Sequence, residues 1–451
     1  MDAILKFATI ADALHGTGGY ADGTALVRFP SETQEQYDRR REVAWYANDL
    51  LPACQRFTGF LSSRPPLRET MNPLLLAFLD DCNWRGDQID VFWQSFMIDA
   101  LARGSMLLLV DMPRSLPSSQ AAQIAQRAFP FLTPIMPEWT YASRLDARGH
   151  LTFFEMHDML DGERVIRGWD AQRWWVRVGE RILDEAEHPL GVCPVIAFTE
   201  RGDFPTLGAF SGITDLSRRL YNLRSELDDI LRRHAFPVFA AQFQTIEPAP
   251  GESVEAAQNR QNAIVKGLVD AIGKLGTDRG IVSPGPVSFV APPDGPANVY
   301  MQAIALLEER IAEIALRVDM TGEKSAESGL ALTIRFQALN TALVRFAKRM
   351  EDLERRALDL ACRWLGLAPE TVTAHWNRDY KIVDTGAELE LLGVMQLQGF
   401  PPEVIRAKMK TVVQMEFGGG DSALVDDLVA VIDEVATEVA PDVGAGGTAP
   451  A

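Results

Sequence analysis

The stretch LTIRFQALNTALVRFAKRMEDLERRALDLACRW, residues 332–364, carries the most extended periodic pattern of the chain. Its apolar residues recur at alternating steps of three and four, as on one buried face of an α-helix. They are Leu332, Phe336, Leu339, Leu343, Phe346, Met350, Leu353, Ala357, Leu360 and Trp364. At 1.5 Å per residue, such a helix extends for roughly 50 Å. Because this length exceeds the diameter of a small domain, we expect the helix to cross between two lobes.

Two earlier segments repeat the same spacing and predict further long amphipathic helices. The first, at 211–235, places Leu216, Leu220, Leu223 and Leu227 on one face, and the second, at 298–320, does so with Ile304, Leu307, Ile311 and Ile314. A helix buried inside one globular core would show the same pattern. Three such helices with charged residues on their other faces favour helix packing between subunits.

The N-terminal half mixes helical and strand patterns. Residues 1–30 contain four glycines and no sustained period, which predicts an irregular arm. Ser31 is a candidate N-cap for a helix that is broken at Pro52. A helix at 90–103 ends at Gly104 and leads into a buried strand, and short alternating runs at 129–200 indicate antiparallel sheet. The predicted fold class is α+β, mainly helical.

Two segments separate the long helices. Residues 236–297 combine a strand, a helix and two short strands around a Pro-Gly-Pro turn, which predicts a compact insertion. Residues 321–329 form a polar break before the longest helix, although a short hairpin turn would join two helices equally well. Helical patterns resume at 384–440, and the glycine-rich tail at 441–451 reads as disordered.

Composition excludes several classes of protein. The chain has 451 residues, with 44 Lys and Arg against 62 Asp and Glu, for a formal charge of −18. This balance argues against a protein that grips nucleic acid by neutralising many phosphates, although it does not prevent DNA from passing. No apolar run is long enough for a membrane span, and the N-terminus does not resemble a secretion signal.

No motif predicts catalysis, a metal or a cofactor. The four cysteines are widely separated and indicate buried reduced thiols, and the six histidines never fall at metal-ligand or triad spacing. The glycines at 267 and 273 have the wrong spacing for a phosphate loop. Arg39, Arg40 and Arg41 could hold a phosphate backbone, but nearby acidic residues favour a salt-bridged helix face.

The order of these parts resembles the portal proteins of tailed bacteriophages. The matching landmarks are Gly104 followed by the stretch 109–113, the stretch 216–227, and the stretch 328–332 that opens the longest helix. The resemblance covers roughly residues 30–365. It implies, after a flexible arm at 1–30, a wing at 31–210, stem helices at 211–235 and 298–320, a clip at 236–297, a channel loop at 321–329, a wing spine helix and return at 330–383, and crown helices at 384–440.

The resemblance also implies a function and partners. Such a subunit forms a ring, of about twelve copies, at one capsid vertex, and double-stranded DNA passes through it during packaging and ejection. It meets a terminase motor first and a head-tail adaptor later, beside the major capsid protein, and it is found in the virion after assembly in the host cytoplasm. The channel loop would offer Thr321, Gly322, Glu323, Lys324, Ser325, Glu327 and Ser328 to the DNA.

Two other functions stay open at this stage. A tail or scaffold component could use the same helices to form bundles or filaments, although a scaffold would lack the compact insertion between them. A hydrolase or transferase would need convergent polar groups, and the sequence reveals none.

Overall fold

A computed structural model of the chain describes residues 2–235, 238–241, 248–272, 287–290, 295–315, 329–378, 380, 385–417, 425 and 427–433. Its helices are α1 (Asp2–His15), α2 (Gln34–Val43), α3 (Leu50–Ser62), α4 (Pro73–Asp80), α5 (Ile89–Arg103), α6 (Gln120–Ala125), α7 (Ser211–Ala235), α8 (Val254–Ile272), α9 (Gly295–Ile314), α10 (Gly329–Trp364), α11 (Thr385–Leu397) and α12 (Pro402–Phe417). Its strands are β1 (Leu67–Glu69), β2 (Ser105–Asp111), β3 (Phe131–Ile135), β4 (Thr140–Leu145), β5 (Leu151–Leu160), β6 (Glu163–Trp169), β7 (Arg173–Val178), β8 (Arg181–Glu187), β9 (Val195–Thr199), β10 (Val238–Ala241), β11 (Val287–Val290) and β12 (Thr373–His375). The predicted α+β class is confirmed.

The chain divides into two compact units. Unit 1 comprises Met1–Asp22, Tyr46–Arg218 and Glu309–Ala451, and unit 2 comprises Gly23–Trp45 and Arg219–Glu308. The sequence assigned residues 31–210 to one wing, and residues 31–45 of that range lie in unit 2. No described helix combines the length and the apolar composition that a membrane span requires.

Unit 1 is built on a three-stranded antiparallel sheet in the order β3-β2-β9. Leu107 of β2 lies opposite Ile135 of β3 and Ala197 of β9. The central strand is buried from its first residue almost to its last, which explains its uninterrupted apolar sequence. It begins directly after Gly104, whose φ of 82° is left-handed. A Cβ at that position would come within 1.8 Å of the Gly208 nitrogen, so only glycine fits this turn.

A five-stranded antiparallel meander, β4-β5-β6-β7-β8, follows in the sequence. Phe154 of β5 lies opposite Trp169 of β6. Both side chains belong to the same buried cluster as Leu109 and Ile135 of the three-stranded sheet, so the two sheets share one core. The antiparallel sheet predicted for residues 129–200 is confirmed.

The first residues form a helix, not the predicted irregular arm. Phe7, Ile10, Ala13 and Leu14 of α1 are buried, and the helix contacts α3 and α5. The glycines that suggested an arm occupy positions 16–23, beyond the last residue of α1. Counting glycines over the whole range 1–30 therefore obscured the apolar residues at steps of three and four, which end at Leu14.

The next helical region also differs from its prediction. Thr33, and not Ser31, is the N-cap of α2, because its side chain accepts a hydrogen bond from the Gln36 nitrogen and its backbone nitrogen donates one to the Gln36 side chain. The break between α2 and α3 covers residues 44–49. Pro52 lies in the first turn of α3, where proline is tolerated.

The longest helix, α10, has 36 residues and lies wholly within unit 1. The expectation that it crosses between lobes is wrong. From Leu339 to Leu360 its apolar face is buried inside unit 1, where the helix contacts α3, β2, β9 and β12. Length alone does not show which elements cover a helix.

Candidate functional site

The predicted channel loop lies between two described helices. Thr321, Gly322, Glu323, Lys324, Ser325, Glu327 and Ser328 fall outside the described residues. The described chain before them ends at Ala315, just after α9, and resumes at Gly329, the first residue of α10. The role of the loop stays a prediction.

Within unit 2, α7 and α9 are joined by two polar contacts. A guanidinium nitrogen of Arg224 donates to Glu308 at 2.7 Å, and the Tyr300 hydroxyl donates to Glu226 at 2.7 Å. Position 224 pairs with 308, whereas 226 pairs with 300, so the two helices run antiparallel. The hydrogen bond to Glu226 raises the pKa of Tyr300 to about 12, because it stabilises the protonated phenol beside a carboxylate.

The predicted packing residues of α7 and α9 are buried to different degrees. Leu220 and Ile311 are buried. The half-buried positions are Leu216, Leu223, Leu227, Ile304, Leu307 and Ile314. In unit 1, the Ile314 side chain approaches Gly212. A Cβ added at Gly212 would lie 4.0 Å from the Cδ1 of Ile314.

A second apolar stripe on α9 is exposed. Val299 and Leu306 are 64% and 67% exposed, and they lie two helical turns apart on one face. That face is separate from the one formed by Ile304, Leu307 and Ile311. Burying a leucine or valine side chain stabilises a fold by about 1.5–3 kcal/mol. Val299 and Leu306 are exposed, so they do not add this free energy to the folding of the subunit.

Residues 23–45 form part of unit 2, which the sequence did not predict. The Asn222 side chain of α7 accepts a hydrogen bond from the Val27 nitrogen at 2.7 Å and donates one to the Ala25 carbonyl at 3.3 Å. The Arg224 guanidinium lies 5.9 Å from the centre of the Trp45 ring. These contacts hold the segment against α7. Asn222 is not one of the apolar positions at steps of three and four, so the spacing of α7 did not signal this contact.

Two of the three consecutive arginines of α2, Arg40 and Arg41, form salt bridges. Arg40 is buried and its guanidinium makes two hydrogen bonds to the Glu32 carboxylate, both at 2.9 Å. The hydrogen bond from Arg40 lowers the pKa of Glu32. Arg41 lies 3.8 Å from Asp38. For Arg40 and Arg41, the salt-bridge interpretation is confirmed.

The insertion of unit 2 is closed by strand pairing. β10 and β11 are antiparallel, with Val238 opposite Val290 and Ala241 opposite Val287. The two strands lie just after α7 and just before α9 in the chain, so the ends of the insertion are brought together. Gly267, once a candidate for a phosphate loop, lies inside α8.

In unit 1, the predicted spine residues Leu339, Leu343 and Phe346 are buried along α10. The same helix also carries Glu354, whose side chain is fully buried. Glu354 accepts hydrogen bonds from the Arg68 Nε at 2.6 Å and the Trp376 Nε1 at 2.6 Å, and Arg68 also binds Asp90. Sequence reasoning missed this cluster because its members are far apart in the chain, with 286 positions between Arg68 and Glu354.

The titratable groups of the described chain show no arrangement for metal binding, since no three His, Cys, Asp or Glu side chains there could hold an ion. All four cysteines are free and buried, as predicted. Burial raises the pKa of Cys82 and Cys193 to about 12 and of Cys362 to about 11, because a thiolate loses its hydration there. These thiols are poor nucleophiles.

No protein-family model matches the chain, and no curated protein does. Among solved structures, it is similar to a chain of a native gene transfer agent virion, with a TM-score of 0.46, 13% identity, and coverage of 78% of this chain and 87% of that one. A neck of the native particle, computed with twelvefold symmetry, has a TM-score of 0.44 at the same identity and coverage. An HK97-family phage portal protein from Corynebacterium diphtheriae has a TM-score of 0.36 and 12% identity, with coverage of 73% and 92%. The last of these is described as a member of the class that the sequence resembles.

Proposed function

We propose that this chain is the subunit of a phage portal: a ring at one capsid vertex through which the genome is packaged and ejected. The observation that carries the proposal is the antiparallel α7–α9 pair of unit 2. These helices flank an insertion closed by β10 and β11, as the stem and clip of the resembled family require. The exposed stripe of Val299 and Leu306 supplies an apolar surface that a neighbouring subunit would cover.

A ring requires one surface of the subunit to meet a different surface of the next copy. Long helices placed side by side provide such a repeated contact. The formal charge of −18 per subunit would repel DNA and favour its sliding over its retention. In this proposal a terminase motor supplies the energy of packaging, a head-tail adaptor replaces it later, and the major capsid protein surrounds the ring.

The alternative function is a tail or scaffold component built on the same helices. The strand-paired insertion between α7 and α9 supports the portal, because a helical scaffold has no need of a compact module that interrupts its apolar helices. A filament-forming tail component remains the competing proposal, and the assembled form separates the two.

The first test is the solution mass of the purified chain combined with negative-stain electron microscopy. We expect closed rings with a central hole wide enough for duplex DNA. Filaments would favour the tail component. A chain that stays monomeric over a wide concentration range, also in the presence of its capsid proteins, would contradict the portal proposal.

The channel loop has a test of its own. Lys324 is the one cation of the segment 321–328, and Lys324→Glu should leave ring formation intact but reduce DNA packaging or genome retention. Ala326→Ser is the matched control, because Ala326 is not among the residues predicted to face the DNA and the change leaves the charge unaltered. Lys324→Glu particles that fill and retain DNA normally would remove the loop assignment without affecting the ring proposal.

A further inference from the structure

Unit 1 contains a polar cavity of about 230 Å³ beside the middle of α10. Three segments line it: the turn between β4 and β5, the end of β9 with the loop after it, and α10 itself. Phe198, Phe204 and Leu353 are its buried large apolar residues. Sites for drug-sized ligands measure about 300–1,000 Å³, so this cavity suits a smaller group.

Three arginines, Arg148, Arg349 and Arg356, line the cavity together with His150. They converge from two separate parts of the chain, the β4–β5 turn and α10. We call this set the arginine pocket. A concentration of positive charge is unexpected in a chain with a formal charge of −18.

The acidic groups nearby only partly neutralise the arginine pocket. Asp352 and Asp203 also line it, but the Asp352 carboxylate is bound by Arg355 at 2.6 Å. The Asp146 carboxylate accepts hydrogen bonds from the backbone nitrogens of Arg148 and His150, at 2.8 and 2.9 Å, and so stabilises the turn. The guanidinium donors that line the cavity are left for another acceptor.

Arg356 is the central observation. Its side chain is half-buried, yet it makes no hydrogen bond or ion pair with any residue that the structure describes. Other buried arginines of the chain behave differently, since Arg40, Arg68 and Arg103 each bind a carboxylate. Burial lowers the pKa of Arg356, and the nearby carboxylates of Asp352 and Asp146 offset this desolvation only in part.

The side chains of Arg148 and Arg349 are likewise without a hydrogen bond or ion pair to the described part of the chain. Both are exposed, which alone would be ordinary for arginine. Around one cavity, however, three free guanidinium groups offer the forked donors that oxyanions accept.

We propose that the arginine pocket binds a phosphate-type oxyanion, either free inorganic phosphate or a phosphate of the DNA backbone. Arg356 supplies the desolvated donor, and Arg148 and Arg349 close over the anion from the rim. The site is independent of ring formation and of the predicted channel loop, so it goes beyond the proposed function.

The test is titration of the full chain with inorganic phosphate in a buffer that otherwise contains none. Calorimetry measures the heat of binding, and the midpoint of thermal unfolding is measured with and without phosphate. Sodium chloride of equal ionic strength is the reference. We expect saturable binding that Arg356→Gln weakens by about ten- to hundredfold, the range for losing charge-assisted hydrogen bonds. Arg363→Gln is the matched control, because Arg363 is on the same helix, binds Asp359 and does not line the cavity.

Arg148→Gln provides a second variant on an exposed turn, in case Arg356→Gln fails to fold. It should weaken phosphate binding without changing the thermal midpoint of the free protein. A short DNA duplex distinguishes the two sources: if it displaces phosphate in the unchanged protein, the backbone is the source, and if it does not, free phosphate is. Binding no stronger than that of chloride, or binding that Arg356→Gln and Arg148→Gln both leave unchanged, would overturn the proposal.

Discussion

The long helix of unit 1 and the helix pair of unit 2 have the same apolar spacing but different degrees of burial. On α10, Leu343 is 1% exposed and Met350 is fully buried. On α9, most of the inner stripe is half-buried, and Leu306 on the outer stripe is 67% exposed. The comparison shows that apolar residues at steps of three and four predict a helix face that is buried on packing. The spacing does not show whether the same chain or another subunit covers that face.

The polar contacts of the two regions differ in the same way. Glu354 in unit 1 is fully buried and binds Arg68 and Trp376, so losing it would leave the buried Arg68 guanidinium with Asp90 as its remaining carboxylate partner. In unit 2, Arg224 binds a Glu308 side chain that is 49% exposed. Water can replace much of that second interaction. Unit 1 should therefore tolerate fewer substitutions.

The largest effect is expected from Leu343→Asp. An unpaired carboxylate would be buried on α10, which should cost about 4 kcal/mol or more and prevent cooperative folding of unit 1. Urea unfolding followed by circular dichroism measures it. Thr341→Asp, at an exposed position of the same helix, should change the unfolding free energy by no more than about 0.5 kcal/mol. A stable Leu343→Asp protein would mean that this face of α10 is not buried.

The next largest effect is expected from Glu354→Gln. Arg68 would keep Asp90 but lose the negative charge of its buried partner, which should lower the free energy of unfolding by about 3 kcal/mol. Glu351→Gln is the control on the same helix, because Glu351 binds the exposed Arg378. This substitution should lower the free energy of unfolding by about 1 kcal/mol or less. Equal effects of the two variants would remove the distinction between buried and surface pairs on α10.

A smaller effect is expected in unit 2 from Tyr300→Phe. The lost hydrogen bond to Glu226 should lower stability by about 1 kcal/mol at neutral pH. Because the folded pKa of Tyr300 is raised to about 12, from an ordinary value of 10, this contribution is complete below pH 10 and disappears as the pH rises towards 12. Unfolding midpoints across this range should converge for the two proteins. Curves that stay parallel would exclude the hydrogen bond as the cause.

The smallest effect on the subunit is expected from Leu306→Ser. The residue is already exposed, so the unfolding free energy of the monomer should change by less than about 0.5 kcal/mol. Assembly should nevertheless weaken, as measured by sedimentation velocity. Leu5→Ser, at a similarly exposed leucine of α1, should leave assembly unchanged. If Leu306→Ser assembles like the unchanged chain, the outer stripe of α9 is not a subunit contact.

Local pattern was sufficient to predict much of the fold. The three-four spacing located α7, α9 and α10, and the alternation of residues 129–200 predicted antiparallel sheet. These signals are local, because helix and strand periods are properties of consecutive residues. The same reasoning failed at α1, where a count of glycines concealed the buried face that includes Phe7 and Leu14.

The candidate sites were less accessible to sequence reasoning. The arginine pocket joins Arg148 to Arg356 across two distant segments, and no spacing rule connects them. The Glu354 cluster is hidden for the same reason. A titratable residue on a helix looks like a solvated charge until its neighbours are known.

The sequence by itself determined the helix faces, the antiparallel sheet, the buried thiols and the net charge, since each of these depends on composition or on neighbours along the chain. Only the tertiary structure decided that residues 23–45 join unit 2, that α10 is covered within unit 1, and that the stripe of Val299 and Leu306 stays exposed. Those outcomes depend on contacts between residues far apart, such as Val27 with Asn222 across 195 positions. Burial is a property of the folded chain. Periodicity predicts which face of a helix is apolar, but the tertiary structure determines which elements pack against that face.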